Sequence, residues 1–243
     1  MTTTNIDMRR ASTRGATRIG WLDSHHSFSF GGYSDPRNTH HGLLLVSNDD
    51  IVKPNTGFQT HPHQDMEIVT WVLDGELEHK DTLGNHGVIY PGLAQRMSAG
   101  RGIWHSEKNN TLDAPVHFIQ MRVLPDSEGV DPGYQQLDIN SELDKGGLVP
   151  IASGRGHHAA IAIRQKGAVL WGGRLKPGET VSVPDGLFVH LYVARGGANL
   201  ENAGYLEKGD AVRLTAAGAP KLTADPVAGA EVLMWETESP SRN

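Results

Sequence analysis

The chain has 243 residues and a formal net charge of −6, with 28 acidic and 22 basic residues and no cysteine. The lack of cysteine excludes disulfides and thiolate metal sites, and without clustered Lys and Arg no direct binding to nucleic acid is expected. Residues 1–5 carry no apolar core of a signal peptide and no apolar run could cross a bilayer, so we expect a cytoplasmic protein that binds no membrane.

The first half of the chain is a series of short apolar segments separated by glycine and proline turns. Glu67 to Leu73 is rich in Ile, Val, Thr and Trp, and Asp74-Gly75 follows it directly. Alternation resumes from Glu76 to Lys80, which together predicts a β-hairpin. Pro91-Gly92 marks a later turn, and His117 to Leu124 indicates another strand.

The composition changes after this strand. From Pro125 to about Val149 the chain is rich in Asp, Glu, Gly, Pro and Ser without a clear period, which indicates a linker or crossover. The second half then repeats the pattern of short strands and turns, and no segment carries a sustained helical period. The sequence therefore predicts an all-β fold with two β-barrel or jelly-roll domains. The expected boundaries are 1–125 for the first domain, 126–150 for the linker, 151–238 for the second domain and 239–243 for a disordered tail.

Two pairs of metal-competent side chains carry the strongest functional signal. His61 and His63 flank Pro62, and His105 and Glu107 form a second pair with the same spacing. Residues two apart on a strand point to the same face, so two strands lining one cavity would bring three imidazoles and a carboxylate together. Such ligands suit iron, manganese, nickel, copper or zinc. Pro62 cannot donate to a strand ladder, which predicts an edge or bulged strand.

The acidic ligand is ambiguous on the residues alone. Glu67 has the same parity as the first histidine pair, so it could bind the metal in place of Glu107 or orient an imidazole from outside the ligand set. The remaining histidines favour structural roles. We expect His25 and His26 in a surface or turn position, an exposed His79, and His117 as a hydrogen-bonded core residue.

Several segments resemble known motifs. Gly57 to Gly75 resembles the first cupin motif, and Pro91 to Asn109 resembles the second. More narrowly, His61 to Thr70 and Gln95 to Glu107 are similar to the signature segments of the pirin family, and Gly20 to Phe30 also fits that family. The resemblance extends from about residue 15 to 125 and is weak in the second half.

This resemblance implies a bicupin with one metal, usually iron, in the N-terminal barrel. It places the ligand roles on His61, His63, His105 and Glu107, which leaves Glu67 outside the ligand set. In the C-terminal barrel Val181-Ser182-Val183 stands where a histidine pair would be expected, so no metal is expected there. A pirin-like chain is further expected to be a monomer.

The similarity is greatest to bacterial pirins described as quercetin 2,3-dioxygenases, which implies a flavonol-like substrate and O2. Three neutral imidazoles, one carboxylate and a divalent ion sum to a charge of +1, which favours a monoanionic chelate such as a deprotonated flavonol. The ion would lower the pKa of the substrate hydroxyl, and Glu107 is the expected general base. Two alternatives remain at this point: a metal-dependent regulatory or redox-sensing protein that binds partner proteins, and a cupin isomerase or lyase that acts without oxygen.

Overall fold

A computed structural model describes residues 5–158 and 160–239, and its regular structure is almost entirely β-strand. The strands of the first half are β1 (Asn5–Arg9), β2 (Gly15–Ile19), β3 (Leu22–His26), β4 (Leu44–Val52), β5 (Thr56–His63), β6 (Glu67–Asp74), β7 (Leu77–Asp81), β8 (His86–Ile89), β9 (Leu93–Ser98), β10 (Ile103–Asn109), β11 (Val116–Val123) and β12 (Gly133–Asp138). Those of the second half are β13 (Val149–Ser153), β14 (Ile161–Ala162), β15 (Ala168–Leu175), β16 (Thr180–Ser182), β17 (Phe188–Leu200), β18 (Gly204–Glu207), β19 (Ala211–Thr215), β20 (Lys221–Ala224) and β21 (Ala230–Thr237). A 3-10 turn (Ala11–Thr13) and one short helix, α1 (Asn140–Leu143), complete the described elements. Within the described ranges no helix has the length and apolar character needed to cross a membrane.

The first barrel has two sheets that share one core. A seven-stranded sheet runs in the order β12-β9-β6-β11-β4-β3-β2, and a four-stranded sheet runs in the order β5-β10-β7-β8. Val72, Leu77, Ile89 and Phe118 are buried in one cluster between them. Along β10 the buried residues alternate with more exposed ones, so the odd-numbered side chains face the interior. This alternation sets the direction of His105 and Glu107.

The second barrel is built around the long strand β17. Its ten-stranded sheet follows the path β1-β19-β17-β21-β15-β13-β14. Strands β18 and β20 pair with β17, and β16 pairs with β20. Leu191, Val193, Val212 and Val232 are fully buried in its core. The predicted all-β fold with two barrel domains is confirmed.

The two barrels are joined by a continuous apolar cluster and by buried polar contacts. Trp71 of the first barrel donates its indole N–H to Glu231 of the second at 2.8 Å. Asp49 lies between Arg14, at 3.0 Å, and the Tyr192 hydroxyl, at 2.6 Å. Burial alone would raise the pKa of Asp49, but the hydrogen bond from His117 and the nearby cations hold that pKa well below its ordinary value. The domain interface is therefore a specific, charged junction.

Two strands pair across the predicted domain boundaries. Strand β1 pairs with β19, so residues 5–9 belong to the second barrel and not to the predicted 1–125 domain. The predicted linker 126–150 contains β12, which pairs with β9 of the first barrel. These exchanges depend on contacts between distant segments, which composition does not reveal. Of the predicted 239–243 tail, residues 240–243 lie outside the described residues.

The predicted hairpin of β6 and β7 is wrong. Strand β6 pairs with β9 and β11, whereas β7 pairs with β8 and β10 in the other sheet. Gly75 has a φ of 78°, and a Cβ on it would lie 2.8 Å from the carbonyl oxygen of Pro115. A turn does form at Asp74-Gly75. It connects the two sheets, because β6 and β7 each pair with other strands and not with one another.

Candidate metal centre

Strands β5 and β10 place the histidine pairs side by side. They are antiparallel neighbours, and the Cα atom of His105 lies opposite that of His61. Strand β5 is the edge of its sheet. His105 of β10 lies opposite His61, and Glu107 lies opposite Phe58, so β5 carries one extra residue between these two positions. The edge strand and the irregularity expected from Pro62 are both present. This bulge lets residues of different strands aim at one point.

Three imidazoles converge at this place. One ring nitrogen each from His61, His63 and His105 lies within 4.8 Å of the others, and the Nε2 atoms of His61 and His105 are 3.1 Å apart. Two ligands at 90° on an ion, each with a bond of about 2.1 Å, would be separated by about 3.0 Å. The Nε2 atom of His63 is buried and has no hydrogen-bond partner among the described residues. The donor set and the orphaned nitrogen both fit a divalent metal.

The protonation of these rings also suits metal binding. Nδ1 of His61 donates to the carbonyl oxygen of Gln59 at 2.8 Å, which leaves the Nε2 lone pair free. Burial, aided by the charge of Arg122 and the neighbouring histidines, lowers the pKa of His63 to about 3. Burial likewise lowers the pKa of His105 to about 4, against the opposing effect of Glu107. The imidazoles of His63 and His105 are therefore neutral at physiological pH, which is the form that binds metals.

Glu107 lies on the same face of β10 but outside the group of three nitrogens. Both carboxylate oxygens accept hydrogen bonds from Nε2 of Gln120, at 2.9 and 2.8 Å, and Thr70 donates to one of them at 3.5 Å. Burial would raise the pKa of Glu107, but His105 and the Gln120 bond hold that pKa below its ordinary value. Glu107 is an ionised carboxylate beside the imidazoles, and its role as the fourth ligand stays a prediction.

A fourth histidine, His79, belongs to this cluster although its sequence context predicts an exposed side chain. That side chain is completely buried on β7, and its Nδ1 lies 3.5 Å from Nδ1 of His105. Its Nε2 lies 3.2 Å from Asp81, whose carboxylate also accepts N–H bonds from Leu83 and Asn85. A hydrogen-bonded chain therefore runs from Asp81 through His79 to His105. His79 and Asp81 are themselves two residues apart on one strand. This spacing, the same as in the two predicted ligand pairs, was the sequence signal that could have placed His79 at the site.

Comparison with known proteins places the chain in a family. The Pirin family model matches residues 7–123. A pirin-like protein of Caulobacter vibrioides is 42% identical over 178 residues, which cover 73% of this chain and 76% of that protein. The chain belongs to the pirin family. All the histidines of the metal cluster lie within the matched segment of this pirin.

Two further relatives bear on the site of this pirin. A Mycobacterium tuberculosis protein, named provisionally as a quercetin 2,3-dioxygenase, is 57% identical over 235 residues, or 96% of each chain. The structure of the bacterial pirin YhhW from Escherichia coli in complex with nickel(II) superposes with a TM-score of 0.89 at 32% identity, covering 97% of this chain and all of that one. The fold is thus that of a bicupin, and a relative of the same architecture binds a divalent metal.

Within the part of the chain that the structure describes, Glu67 forms no hydrogen bond with an imidazole. Its buried carboxylate accepts hydrogen bonds from Ser98 at 2.8 Å and from the backbone N–H of Arg164 at 3.1 Å, at the junction with the second half of the chain. The parity argument failed because a turn separates β5 from β6, and Asp65 in that turn has a φ of 46°. The predicted outer role of Glu67 at the metal is therefore wrong.

A cavity of about 170 Å³ opens beside the cluster and is lined by His61 and Glu107. Its wall includes His26, which is buried and hydrogen-bonded to Asn48 at 2.9 Å, so its predicted surface position is wrong. The other lining residues combine apolar side chains with polar ones, namely Thr17, Leu22, Ser24, Phe30, Gly31, Gly32, Asn48, Asp50, Phe58, Gln120 and Arg122. His117, in contrast, is hydrogen-bonded to Asp49 in the core, as predicted.

Two charged groups give the cavity its chemistry. Arg122 is mostly buried and donates to the Gln120 side chain at 2.7 Å. Its positive charge therefore lies close to the carboxyl groups of Glu107 and Asp50. Asp50 is buried and hydrogen-bonded to Ser24, and burial raises the pKa of Asp50 to about 7. The cavity therefore combines a fixed positive charge with a carboxyl group whose proton exchanges near neutral pH.

Proposed function

We propose that this chain is a metal-dependent dioxygenase that cleaves flavonol-type substrates with O2. The convergence of His61, His63 and His105, with an orphaned Nε2 on His63, is the observation that carries the proposal. Glu107, on the same face of β10 as His105, would complete the ligand set with a carboxylate oxygen. The preferred metal is Fe(II), and manganese, nickel, copper and zinc suit the same ligands.

A divalent ion bound here would act as a Lewis acid that lowers the pKa of a coordinated substrate hydroxyl. The residues of the chain then have to favour the resulting anion. Arg122 lines the cavity and supplies a positive charge. Phe58 and Phe30 give the cavity apolar walls against which an aromatic ring can pack. An anionic, oxygen-rich aromatic molecule matches this lining.

The proton of the substrate hydroxyl needs an acceptor, and two carboxylates are candidates. Glu107 was the predicted base, but its pKa is held below the ordinary value, which makes it a weak base. Asp50 lines the same cavity, and burial raises its pKa to about 7, which is the range in which a general base works best at neutral pH. We therefore assign the proton to Asp50 and keep Glu107 as a metal ligand.

The size of the cavity constrains how such a substrate binds. Ligand pockets usually enclose about 300 Å³ or more, and this cavity has about 170 Å³. It can take the hydroxy-ketone edge that faces the metal, with the remaining rings directed to the rim. The exposed indole of Trp104, next to His105 in sequence, lies on the outer face of β10.

Oxygen dependence tests the proposal. The metal-loaded protein is mixed with quercetin, and oxygen uptake, carbon monoxide release and quercetin loss are followed together. We expect one O2 consumed for each quercetin cleaved, and no cleavage in oxygen-free buffer. A His86→Ala variant, which alters a histidine with a 57% exposed side chain on β8, serves as the matched control and should retain full activity. Cleavage of the substrate at an undiminished rate without oxygen would refute the dioxygenase assignment and favour a lyase.

A further inference from the structure

A second cavity lies between the two barrels, apart from the metal centre. It has a volume of about 190 Å³ and is bounded on one side by β17 and β19 and on the other by the loop that follows β3. Three arginines line it, Arg9, Arg14 and Arg213, and His190 lies among them. Among the described residues that line this cavity, Asp35 is the one with a carboxylate side chain. The cavity is thus rich in cationic groups.

Arg213 is the unusual member of this set. Only 6% of it is exposed, and its guanidinium stacks on the ring of Phe28 at 4.4 Å. It donates to the carbonyl oxygen of Ser27 and to the side-chain oxygen of Asn38, both of which are neutral. Among residues 5–158 and 160–239 it forms no ion pair within 4.0 Å, because Asp7, the residue opposite it on β1, pairs with Arg9 instead. A buried cation is normally paired with an anion, because an uncompensated charge in the interior is costly.

The other two arginines are already neutralised. Arg9 is paired with Asp7 at 2.7 Å, and Arg14 is paired with Asp49 at 3.0 Å. The carboxylate of Asp35 accepts hydrogen bonds from the backbone N–H and the side chain of Arg37. Among the described residues, Arg213 is therefore the cation of this set without a carboxylate in ion-pair contact, although Asp7, which is already paired with Arg9, acts on it from the neighbouring strand β1.

Three residues that line the cavity also carry a buried polar atom without a hydrogen-bond partner within the described ranges. These atoms are Oγ of Ser27, Nε2 of His190 and Nε of Arg213. Buried polar atoms are rarely left unpaired in folded proteins, and a bound ion or ligand would supply the missing partners. Here the three residues come from the first barrel and from two strands of the second, and all of them line the same cavity.

We propose that this inter-barrel cavity binds a small oxyanion, a carboxylate or a phosphate, with Arg213 as its countercharge. A guanidinium presents several N–H donors in a plane, which matches two oxygens of such an anion. The Ser27 hydroxyl can donate to the same ligand, and His190 can do so in its Nε2–H tautomer. The cavity has room for an anion of a few heavy atoms but not for a nucleotide.

The loop between Ser27 and Asn38 gives the site a structural context. Ser27 and Asn38 contact Arg213, while Phe30, Gly31 and Gly32 of the same loop line the cavity beside the metal centre. Binding of the anion is independent of the proposed dioxygenase function, so the two can be tested separately.

Isothermal titration of the metal-loaded protein with potassium phosphate, sulfate and acetate tests the proposal, with ionic strength held constant by potassium chloride. We expect saturable binding of one oxyanion per chain, accompanied by a rise in Tm that grows with the logarithm of its concentration. Binding of phosphate and sulfate alone would identify a phosphate-type site, and binding of acetate as well would identify a general carboxylate and oxyanion site. Absence of binding at tens of millimolar of every anion would overturn the proposal.

Variants separate this site from the metal, which can itself bind anions. Arg213→Met should weaken the oxyanion by about tenfold or more, because it removes a charge-assisted donor, and Ser27→Ala should weaken it severalfold without disturbing the core. His63→Ala should leave oxyanion binding intact, and Lys221→Met, at an exposed lysine of β20, is the charge-matched control. If Arg213→Met does not fold, Ser27→Ala decides. Binding that is unchanged in Ser27→Ala and Arg213→Met but lost in His63→Ala would place the anion on the metal and contradict the proposal.

Discussion

Replacement of His79 by phenylalanine should weaken metal binding although His79 does not contact the metal. In the native protein His105 turns Nε2 towards His61 and Nδ1 towards His79, which is 3.5 Å away. The Asp81 carboxylate accepts from the far nitrogen of His79 at 3.2 Å. This chain of hydrogen bonds favours the tautomer of His105 whose Nε2 lone pair is free, and it would make that nitrogen a stronger donor to a bound ion.

The size of the effect follows from the burial of the chain. The side chains of His79 and Asp81 are both fully buried, so water cannot replace the lost partner in His79→Phe. An unpaired N–H on His105 costs about 1–3 kcal/mol. Loss of such outer partners weakens metal affinity by about 10- to 100-fold, which corresponds to about 1.4–2.7 kcal/mol. Asp81→Asn keeps the shape and removes the charge, so we expect a smaller loss.

Competition with a chromophoric chelator measures this affinity directly, and circular dichroism confirms that each variant is folded. His86→Phe provides the matched control, since His86 lies on the adjacent strand, is exposed and pairs with Glu78. We expect the order native, His86→Phe, Asp81→Asn, His79→Phe, from the tightest binding to the weakest. A folded His79→Phe protein with native metal affinity would show that His79 only fills space.

Three further predictions concern the carboxylates. Gln120→Leu removes both hydrogen bonds to Glu107, so the pKa of Glu107 should rise. Metal affinity, measured by the same chelator competition, should then fall about tenfold. Unchanged affinity would contradict this prediction. Burial raises the pKa of Asp50 from 3.8 to about 7, so the folded metal-free protein holds a proton that the unfolded chain releases. Its free energy of unfolding should therefore fall by up to about 4 kcal/mol between about pH 4 and pH 7, and urea titrations of Asp50→Asn should lack this slope. Asp49→Ala should lower the free energy of unfolding by about 3 kcal/mol, because it leaves a buried arginine without its partner, whereas Asp113→Ala at an exposed site should change it little.

The grouping of His61, His63 and His105 could be anticipated from the sequence where local geometry decides it, whereas the role of Glu107 as a ligand stays a prediction. His61 and His63 share a face because they are two residues apart on one strand, and the same holds for His105 and Glu107. The edge position of β5 followed from Pro62. The shared faces need only the period of a strand, whereas the meeting of the two pairs depends on the pairing of β5 with β10.

The failures have two physical causes, a local turn and the pairing of distant strands. Glu67 was given the parity of His63, but the turn at Asp65 resets the alternation. His79 has the composition of an exposed strand residue, and its burial arises only because β10 packs beside β7. Asp74-Gly75 has the chemistry of a hairpin turn, yet strand pairing is decided by segments tens of residues away. The errors on His79 and on the hairpin concern properties that are set by tertiary contacts, whereas the error on Glu67 arises from the local backbone of the turn.

The junction between the barrels was also beyond sequence reasoning. Arg14, Asp49 and Tyr192 meet across separations of 35 and 143 residues, and no local pattern links them. Strand β1 crosses to the second barrel in the same way. The cavity around Arg213 depends on these exchanges, so it could be found only from the structure.

The measurement that tests the central claim most directly is metal content and oxygen uptake on quercetin for the native protein and for His63→Ala. His63 is chosen because its Nε2 atom is buried without a partner among the described residues. We predict about one divalent ion per chain and quercetin-dependent oxygen uptake in the native protein, both lost in the variant. A native protein without bound metal, or a His63→Ala protein that keeps both metal and oxygen uptake, would contradict the assignment of this cluster as the dioxygenase centre.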